Sequence, residues 1–339
     1  MRIIFSISIL LANLFSFSFC TNFNSQNKPE EILQDSLVLE DTIPVIDTLA
    51  AADIIIEKEL LFDKYTLEDT YPYKDTTREF QWEKVRKGLA HLVNIQEDHP
   101  HWAILQNYKN KNGEAPLVKK YKRNAYKRIA DTLGVERYQS VPLYLPGDSV
   151  PERYGRDGSP VKYLGDSADY IKVETVTFGG IWMVPKRYIV HIADSITFTK
   201  AVVVDVTNQN ITTLDQDSTQ KAKWIVRSMN PSTTGRHAPP YAQETPVGMY
   251  VIEEKKPKML YLKDGSSELG GFAPWASRFT NGAYLHGVPT NAPGTKIIEY
   301  SASLGTIPRS HMCVRNASSH AKFIYDWGIL TGTIVFVID

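Results

Sequence analysis

Cysteine is scarce in this 339-residue sequence: Cys20 ends an N-terminal apolar run, and Cys313 is the only other cysteine. If that run is removed on export, Cys313 has no partner within the chain for a disulfide. Net charge is also lacking, because 38 basic and 38 acidic residues balance. The basic residues are dispersed, which in an exported chain gives little support to a nucleic-acid partner. The 42% hydrophobic content is that of a globular protein of two or more domains.

The N-terminus has the pattern of an export signal. Arg2 precedes an apolar, serine-rich run that ends near Phe19 and is too short for a permanent transmembrane helix. We therefore predict a signal peptide over residues 1–20 and a location in the periplasm or cell envelope. Cleavage after Cys20 is one interpretation. The other is a membrane-anchored lipoprotein in which Cys20 carries the lipid anchor.

The next segment, residues 21–75, is acidic, with 13 Asp and Glu against 4 Lys and Arg. Its few aromatic residues and scattered prolines predict a flexible tether. Over residues 76–139, apolar residues recur at three- and four-residue spacing, first around Leu89 and again around Ile129, which predicts a helical region.

From Val141 the pattern becomes that of short strands separated by glycine turns. Over residues 140–193, the order of Pro-Leu-Tyr, a Gly/Asp loop, a strand and Gly-Gly-Ile-Trp resembles a small bacterial SH3-like β-barrel. The resemblance suggests a wall-peptide groove lined by Trp182 and Tyr188. Packing of these two residues in the barrel core is the alternative.

Cys313 lies in the motif Ser310-His311-Met312-Cys313-Val314-Arg315-Asn316, and Leu-His-Gly stands upstream at 285–287. A lone cysteine is often a small buried apolar residue. A thiolate nucleophile, by contrast, needs a base, a group that orients the base, and main-chain N–H donors for an oxyanion. Two histidines and a glycine-bearing turn are present here, so the pattern favours a reactive thiol.

Together with two upstream blocks, these motifs resemble the catalytic signature of the L,D-transpeptidases, the YkuD-like family. The blocks are Asp205-Val206-Thr207-Asn208-Gln209-Asn210-Ile211 and Thr245-Pro246-Val247-Gly248-Met249-Tyr250. The resemblance covers roughly residues 198–339 and implies a mainly β catalytic sandwich. With the helical segment and the barrel, the fold class is α+β overall. Met312 stands where the family usually has glycine, at a position expected to have positive φ.

The resemblance implies a cysteine-dependent peptidoglycan L,D-transpeptidase. Cys313 would attack the amide before D-alanine in a tetrapeptide stem, release D-alanine, and pass the acyl group to an amine acceptor, forming a 3-3 crosslink. His286 would be the base, and the Gly287 carbonyl would orient its ring. The predicted substrate-binding residues are Ser310, His311, Met312, Arg315 and Asn316.

The implied partners are peptidoglycan stem peptides, with β-lactams of the carbapenem type as covalent inhibitors. Neither a cofactor nor a metal is expected. An L,D-carboxypeptidase that uses water and a non-catalytic cell-wall-binding protein are the alternatives. A zinc site of His286, His311 and Cys313 would lack a fourth ligand. A papain-like order, with cysteine well before its histidine, is disfavoured because only His320 follows Cys313.

Overall fold

The structure is a computed structural model that describes residues 48–339. The predicted signal peptide, Cys20 and the first part of the predicted tether lie outside the described residues. Within residues 48–339 the fold is mostly β-sheet, with two α-helices, α1 (Trp82–Asn94) and α2 (Ser318–Trp327). Single 3₁₀ turns cover Ala51–Asp53, Tyr108–Asn110 and Lys186–Tyr188. No helix in this part of the chain is long and apolar enough to span a bilayer.

The strands, in chain order, are β1 (Ile55–Lys58), β2 (Thr70–Tyr73), β3 (Thr76–Glu79), β4 (Trp102–Leu105), β5 (Tyr121–Arg123), β6 (Ile129–Asp131), β7 (Ser140–Leu143), β8 (Arg153–Arg156), β9 (Pro160–Ser167), β10 (Tyr170–Thr175), β11 (Ile181–Pro185), β12 (Ile189–His191), β13 (Lys200–Asp205), β14 (Asn210–Gln216), β15 (Lys223–Pro231), β16 (Gly248–Val251), β17 (Glu254–Leu262), β18 (Leu269–Thr280), β19 (Ala283–His286), β20 (Thr290–Asn291), β21 (Val314–Arg315) and β22 (Thr333–Ile338).

A six-stranded sheet in the order β1-β15-β14-β13-β22-β16 is built mainly from the C-terminal half of the chain. Its middle strand β13 is apolar on both faces, as expected of a strand covered on both sides. Val203 packs in the core that includes Leu89 of α1, whereas Val202 and Val204 pack in the core that includes Ile324 of α2. The sheet is therefore the middle layer of a sandwich.

The layer on the α2 side is a second sheet in the order β17-β18-β19-β21, with β20 paired to β18. We call it the site sheet. Leu285 of β19 and Val314 of β21 point into the core shared with the six-stranded sheet. Because side chains alternate along a strand, their neighbours in sequence face the other side. That other side carries the candidate site.

A third sheet, the upstream sheet, has the order β11-β10-β9-β4-β12. Trp182 and Tyr188 both lie in its buried core, with Tyr188 fully enclosed. Strand β4 comes from residues 102–105, so a boundary drawn at residue 140 would divide this sheet. The SH3-like assignment of this region stays a prediction.

Two elements correct the expectations from sequence. Residues 48–75 are not a free tether: Ile54 is buried, β1 extends the six-stranded sheet, and the Tyr71 hydroxyl donates to the Asn208 carbonyl at 2.8 Å. The tether was predicted from the acidic residues of this segment, although Ile54 and Ile56 among them pack in the core.

The second correction concerns residues 76–139, of which Trp82–Asn94 is helical. The pattern around Ile129 belongs instead to a hairpin of β5 and β6. Asn124 Oδ1 accepts from the main-chain N–H groups of Tyr126 and Arg128 at 3.0 and 3.1 Å. Asp131 Oδ1 likewise accepts from Leu133 at 3.0 Å. Side chains thus bind the N–H groups that a helix would use.

Candidate active site

Cys313 and His286 are brought together by two short parallel strands. In the register of β19 and β21, Leu285 lies opposite Val314 and His286 opposite Arg315. Leu285 and Val314 point into the core, so His286 and Arg315 share the opposite face, and Cys313 shares it too. This face forms the floor of an open cleft of about 950 Å³, which His286, Cys313 and Arg315 all line.

The His286 ring is held by the next peptide group. Its Nδ1 lies 2.6 Å from the Gly287 carbonyl oxygen, which can only accept, so the proton is assigned to Nδ1 and Nε2 keeps its lone pair. Gly287 is fixed in turn by its N–H, which donates to the Pro274 carbonyl at 2.9 Å. Burial lowers the pKa of His286 to about 4, so the ring is neutral at physiological pH.

The Cys313 thiol is buried and protonated at rest. Its Sγ donates to the Gly282 carbonyl oxygen at 3.4 Å. Burial raises the pKa of Cys313 to about 11, although a main-chain hydrogen bond from Tyr284 and the charge of Arg315 act in the opposite direction. Since His286 is also neutral, the resting pair consists of a thiol and an imidazole rather than a thiolate and an imidazolium.

Arg315 places a cation at the floor of the cleft. Its main chain is fixed by two hydrogen bonds of 2.9 Å with Thr233, one in each direction. Its Nε is buried and has no hydrogen-bond partner among the described residues. A guanidinium with unused donors facing a cleft is suited to a carboxylate ligand.

The loop before Cys313 is braced by the Thr-Pro-Val-Gly block. Thr245 Oγ1 accepts from the Gly235 N–H at 2.8 Å and donates to the Met312 carbonyl at 2.7 Å. Met312 has φ +87°, the conformation that favours glycine. A Cβ on Gly235 would come within 2.7 Å of the Met312 Cα, so the two segments pack main chain against main chain.

The hairpin of β17 and β18 forms one wall of the cleft. At its tip, Asp264 Oδ2 lies 2.9 Å from His311 Nε2, which ties the hairpin to the loop that carries Cys313. The segment 291–300 also lines the cleft, through Ala292, Ile298 and Tyr300. The His286 and His311 rings are therefore bonded to different partners, one to a carbonyl and the other to a carboxylate.

Residues 199–337 match the sequence model of the YkuD family, described as the L,D-transpeptidase catalytic domain. This segment is a YkuD domain. No curated protein matches the chain. Among solved structures, the chain is similar to LdtMt1 in complex with imipenem, with 19% identity over 47% of this chain and 73% of that one and a TM-score of 0.33.

Two further structures of L,D-transpeptidases are similar to the chain. The enzyme from Mycobacterium smegmatis is 17% identical over 52% of this chain and 80% of its own, with a TM-score of 0.33. L,D-transpeptidase 3 from Mycobacterium tuberculosis, in complex with a faropenem-derived adduct, is 18% identical over 47% and 73%, with a TM-score of 0.30. The assignment of the YkuD domain rests on the sequence match.

Not all of the predicted site residues reach the cleft of the YkuD domain. Ser310, His311 and Arg315 line it, together with Cys313 and His286. Met312 and Asn316 do not line it, and their role as substrate-binding residues stays a prediction. Met312 packs against the core below β21 because alternation turns its side chain away from the cleft. The Asn316 side chain bonds the Val314 carbonyl at 3.2 Å.

The start of α2 is bound by a residue from outside the helix. Neither Asn316 nor Ser318 caps it, and Ala317 holds the N-cap position without a side-chain bond. Instead, Glu299 Oε2 accepts from the Ser319 N–H at 3.1 Å. Partial burial opposes its charge, but hydrogen bonds from Lys64 and Ser319 prevail and lower the pKa of Glu299. A carboxylate at a helix N-terminus is favourable.

Sequence reasoning missed two parts of the YkuD domain. The run of small hydroxyl residues at 232–234 braces the chain on both sides of Cys313. The Thr234 carbonyl accepts from the N–H groups of Arg309 and Ser310 before it, and Thr233 pairs with Arg315 after it. The sequence signal was a run of small, uncharged hydroxyl side chains, which predicts buried main-chain contacts only weakly. Asp264, at the hairpin tip, has no local signal, because its partner His311 is distant in sequence.

Proposed function

We propose that this protein is a peptidoglycan L,D-transpeptidase in which Cys313 is the nucleophile and His286 the base. The observation that carries the proposal is the site geometry: Gly287 fixes the His286 tautomer, and Nε2 remains available on the face shared with Cys313 and Arg315. A neutral imidazole is able to take a thiol proton. The match of residues 199–337 to the YkuD family supports the same chemistry.

In the proposed first step, Sγ attacks the carbonyl carbon of the amide before D-alanine in a tetrapeptide stem. The thiol proton passes to His286 Nε2 as the C–S bond forms, and main-chain N–H groups near Met312 and Cys313 bind the oxyanion. The C–N bond then breaks, His286 returns the proton to the leaving amine, and D-alanine departs. A thioester remains on Cys313.

In the second step, an amine of another stem attacks the thioester carbonyl. His286 takes a proton from that amine and delivers it to sulfur as the C–S bond breaks. The products are a 3-3 crosslink and the free thiol, so neither an oxidant nor a cofactor is consumed. Arg315 is proposed to bind a carboxylate of the donor stem, because its guanidinium is half-buried and its Nε has no partner among the described residues.

The deciding experiment is incubation of the purified protein with a disaccharide tetrapeptide, with products resolved by mass. A crosslinked dimer with loss of D-alanine is the expected result. A tripeptide alone would mean that water is the acceptor, and an unchanged substrate would reject the enzyme. Cys313→Ala should abolish turnover and retain the fold, since loss of one sulfur costs little packing.

His286→Ala and His311→Ala form a matched pair within the same cleft. His286→Ala should be nearly as damaging as the cysteine variant, whereas His311→Ala should keep measurable acylation because its ring is bound to Asp264. The reverse order of residual activities would exchange the roles of the two histidines. A chelator should not reduce acylation or acyl transfer. A loss of activity with a chelator that added zinc reverses would reject thiol chemistry.

We also propose that a carbapenem acylates Cys313. Its strained amide and adjacent carboxylate match the thiol and the Arg315 guanidinium, so intact-mass analysis should show one adduct on the peptide that contains Cys313.

We further propose that the protein is exported to the periplasm or cell envelope, with Cys20 either at the cleavage site or bearing a lipid. Mass analysis of the N-terminal peptide from cells distinguishes the two.

A further inference from the structure

A turn from outside the YkuD domain lies against the turn beside Cys313. Asp157 and Gly158 stand between β8 and β9, and the turn 280–282 joins β18 to β19 of the site sheet. Gly158 has φ +83°, and a Cβ there would come within 1.9 Å of the Phe279 carbonyl oxygen. The two turns are therefore in main-chain contact that a side chain at 158 would prevent.

Asp157 is bonded to the turn 280–282 at two points. Thr280 Oγ1 donates to the Asp157 carbonyl at 2.6 Å, and the Asn281 N–H donates to Asp157 Oδ2 at 2.9 Å. The Asp157 side chain is fully buried, and Arg278 balances its charge through a hydrogen bond of 2.6 Å. Asn281 has φ +40°, a left-handed conformation that asparagine tolerates better than most residues, and these bonds hold the turn in it.

Gly282, the last residue of this turn, binds the thiol. Its carbonyl oxygen accepts from Cys313 Sγ at 3.4 Å. We propose that Asp157 is a positioning residue for Cys313: it holds the turn 280–282 so that the Gly282 carbonyl keeps the protonated thiol in place beside β19. The proposal rests on the proposed function in one respect, that Cys313 is the nucleophile.

The proposal has a chemical signature apart from stability. A carbonyl that accepts from the thiol stabilises its protonated form, so displacement of Gly282 should raise the thiolate fraction. The S–H group is a weak donor, and loss of its hydrogen bond should change that fraction by roughly threefold. Acyl transfer should fall at the same time, because sulfur is no longer held in position.

The test uses the full chain and Asp157→Asn. In the wild-type side chain Oδ1 accepts from the Asn107 N–H at 2.6 Å while Oδ2 accepts from Asn281 and Arg278. An amide has only one oxygen, so its NH₂ group must face donors on one side and the side chain cannot keep all three bonds. The rate of Cys313 alkylation by iodoacetamide is measured against pH. We expect the profile to move to lower pH, with a rate at pH 8 roughly three times that of the unmodified protein. With a stem tetrapeptide, kcat should fall and KM stay unchanged.

Glu253→Gln is the matched control. Glu253 belongs to the same buried cluster, with Oε1 3.0 Å from the Arg278 guanidinium, but its side chain makes no bond to the turn 280–282. It removes a carboxyl group from the same buried cluster and should keep the original alkylation profile. Alkylation rates that are independent of low urea concentrations show that the native state is the one reacting.

Thr280→Val is the second variant, because it removes one bond to Asp157 and retains the side-chain volume. Unchanged profiles in both Asp157→Asn and Thr280→Val would overturn the proposal. An equal shift in Glu253→Gln would also overturn it, since charge rather than position would then be responsible. If the profile shifts while the protein shows no acyl transfer, the positioning role stands and the proposed function fails.

Discussion

The protonation states of Cys313 and His286 have a direct chemical consequence. Burial raises the pKa of Cys313 to about 11, which leaves about one thiol in ten thousand ionised at pH 7. We therefore expect iodoacetamide to alkylate the free protein slowly at neutral pH, with a rate that rises beyond pH 9. The measurement is the pH profile of adduct formation. A plateau already reached at pH 8 would show a preformed thiolate.

Met312 stands where the family pattern usually has glycine. Its φ of +87° is strained for a side-chain-bearing residue, at a cost of about 1 kcal/mol or more. Met312→Gly should keep the acylation rate within about threefold, since the cost of lost core contacts is offset by relief of strain. Met312→Val should be destabilised, because a β-branched residue tolerates this conformation poorly.

Thermal unfolding and carbapenem acylation measured on both Met312 variants check this expectation. If Met312→Gly loses acylation while it keeps its stability, the methionine side chain has a part in the reaction that its packing against the core does not suggest. Equal stabilities of the glycine and valine variants would show that the strain at this position is small.

One hydroxyl group, that of Thr245, joins the loop before Cys313 to Gly235. Thr245→Val keeps the shape of the side chain but leaves the Gly235 N–H and the Met312 carbonyl without their partner. Unsatisfied buried groups cost about 1 to 3 kcal/mol, and the loop should also lose its fixed position. We expect a lower melting temperature and a fall in acylation of at least tenfold.

Thr213→Val is the control for this element. Thr213 is fully buried and its hydroxyl lies 2.8 Å from Ser228 Oγ, within the six-stranded sheet rather than the loop. Its loss should lower stability to a similar degree and leave acylation of the folded protein unchanged. Parallel losses of acylation in both threonine variants would mean that stability alone controls the reaction.

At the scale of elements, the sequence predicted what depends on neighbouring residues. The motif around Cys313 could be recognised because its residues are neighbours in sequence, and the helical spacing around Leu89 lies within α1. The helix predicted around Ile129 was wrong. Asn124 and Asp131 bind main-chain N–H groups there, and the segment forms the hairpin of β5 and β6. The contact of Asp157 with Asn281 joins residues far apart in sequence, and neither carries a local signal.

The free energy of unfolding should depend on pH because of the buried His320. Burial lowers the pKa of His320 to about 3, from an ordinary value near 6.5. The unfolded chain therefore binds a proton that the folded chain refuses. This contribution to stability is complete above pH 6.5 and is lost as pH falls toward 3, with a slope of up to about 1.4 kcal/mol per pH unit.

His320→Phe tests this contribution, because the ring packs against Phe62 and Phe323 in an aromatic cluster that can hold a phenylalanine. Urea unfolding at pH 7.5 and pH 5 should show a smaller acid loss in the variant than in the unmodified protein. The comparison is made as a difference because Glu253, whose pKa burial raises to about 7, acts in the opposite direction. Identical acid losses would contradict the expectation.

Strand β1 changes what counts as the minimal protein. It pairs in parallel with β15 along the outer edge of the six-stranded sheet, more than a hundred residues before the YkuD domain begins. Truncation to residues 199–337 would remove β1 and leave the main-chain N–H and C=O groups on that edge of β15 unpaired. An unpaired edge strand favours aggregation between copies. We therefore expect residues 199–337 expressed alone to aggregate, and a lack of activity in that fragment would reflect the loss of β1 and not the chemistry of the site.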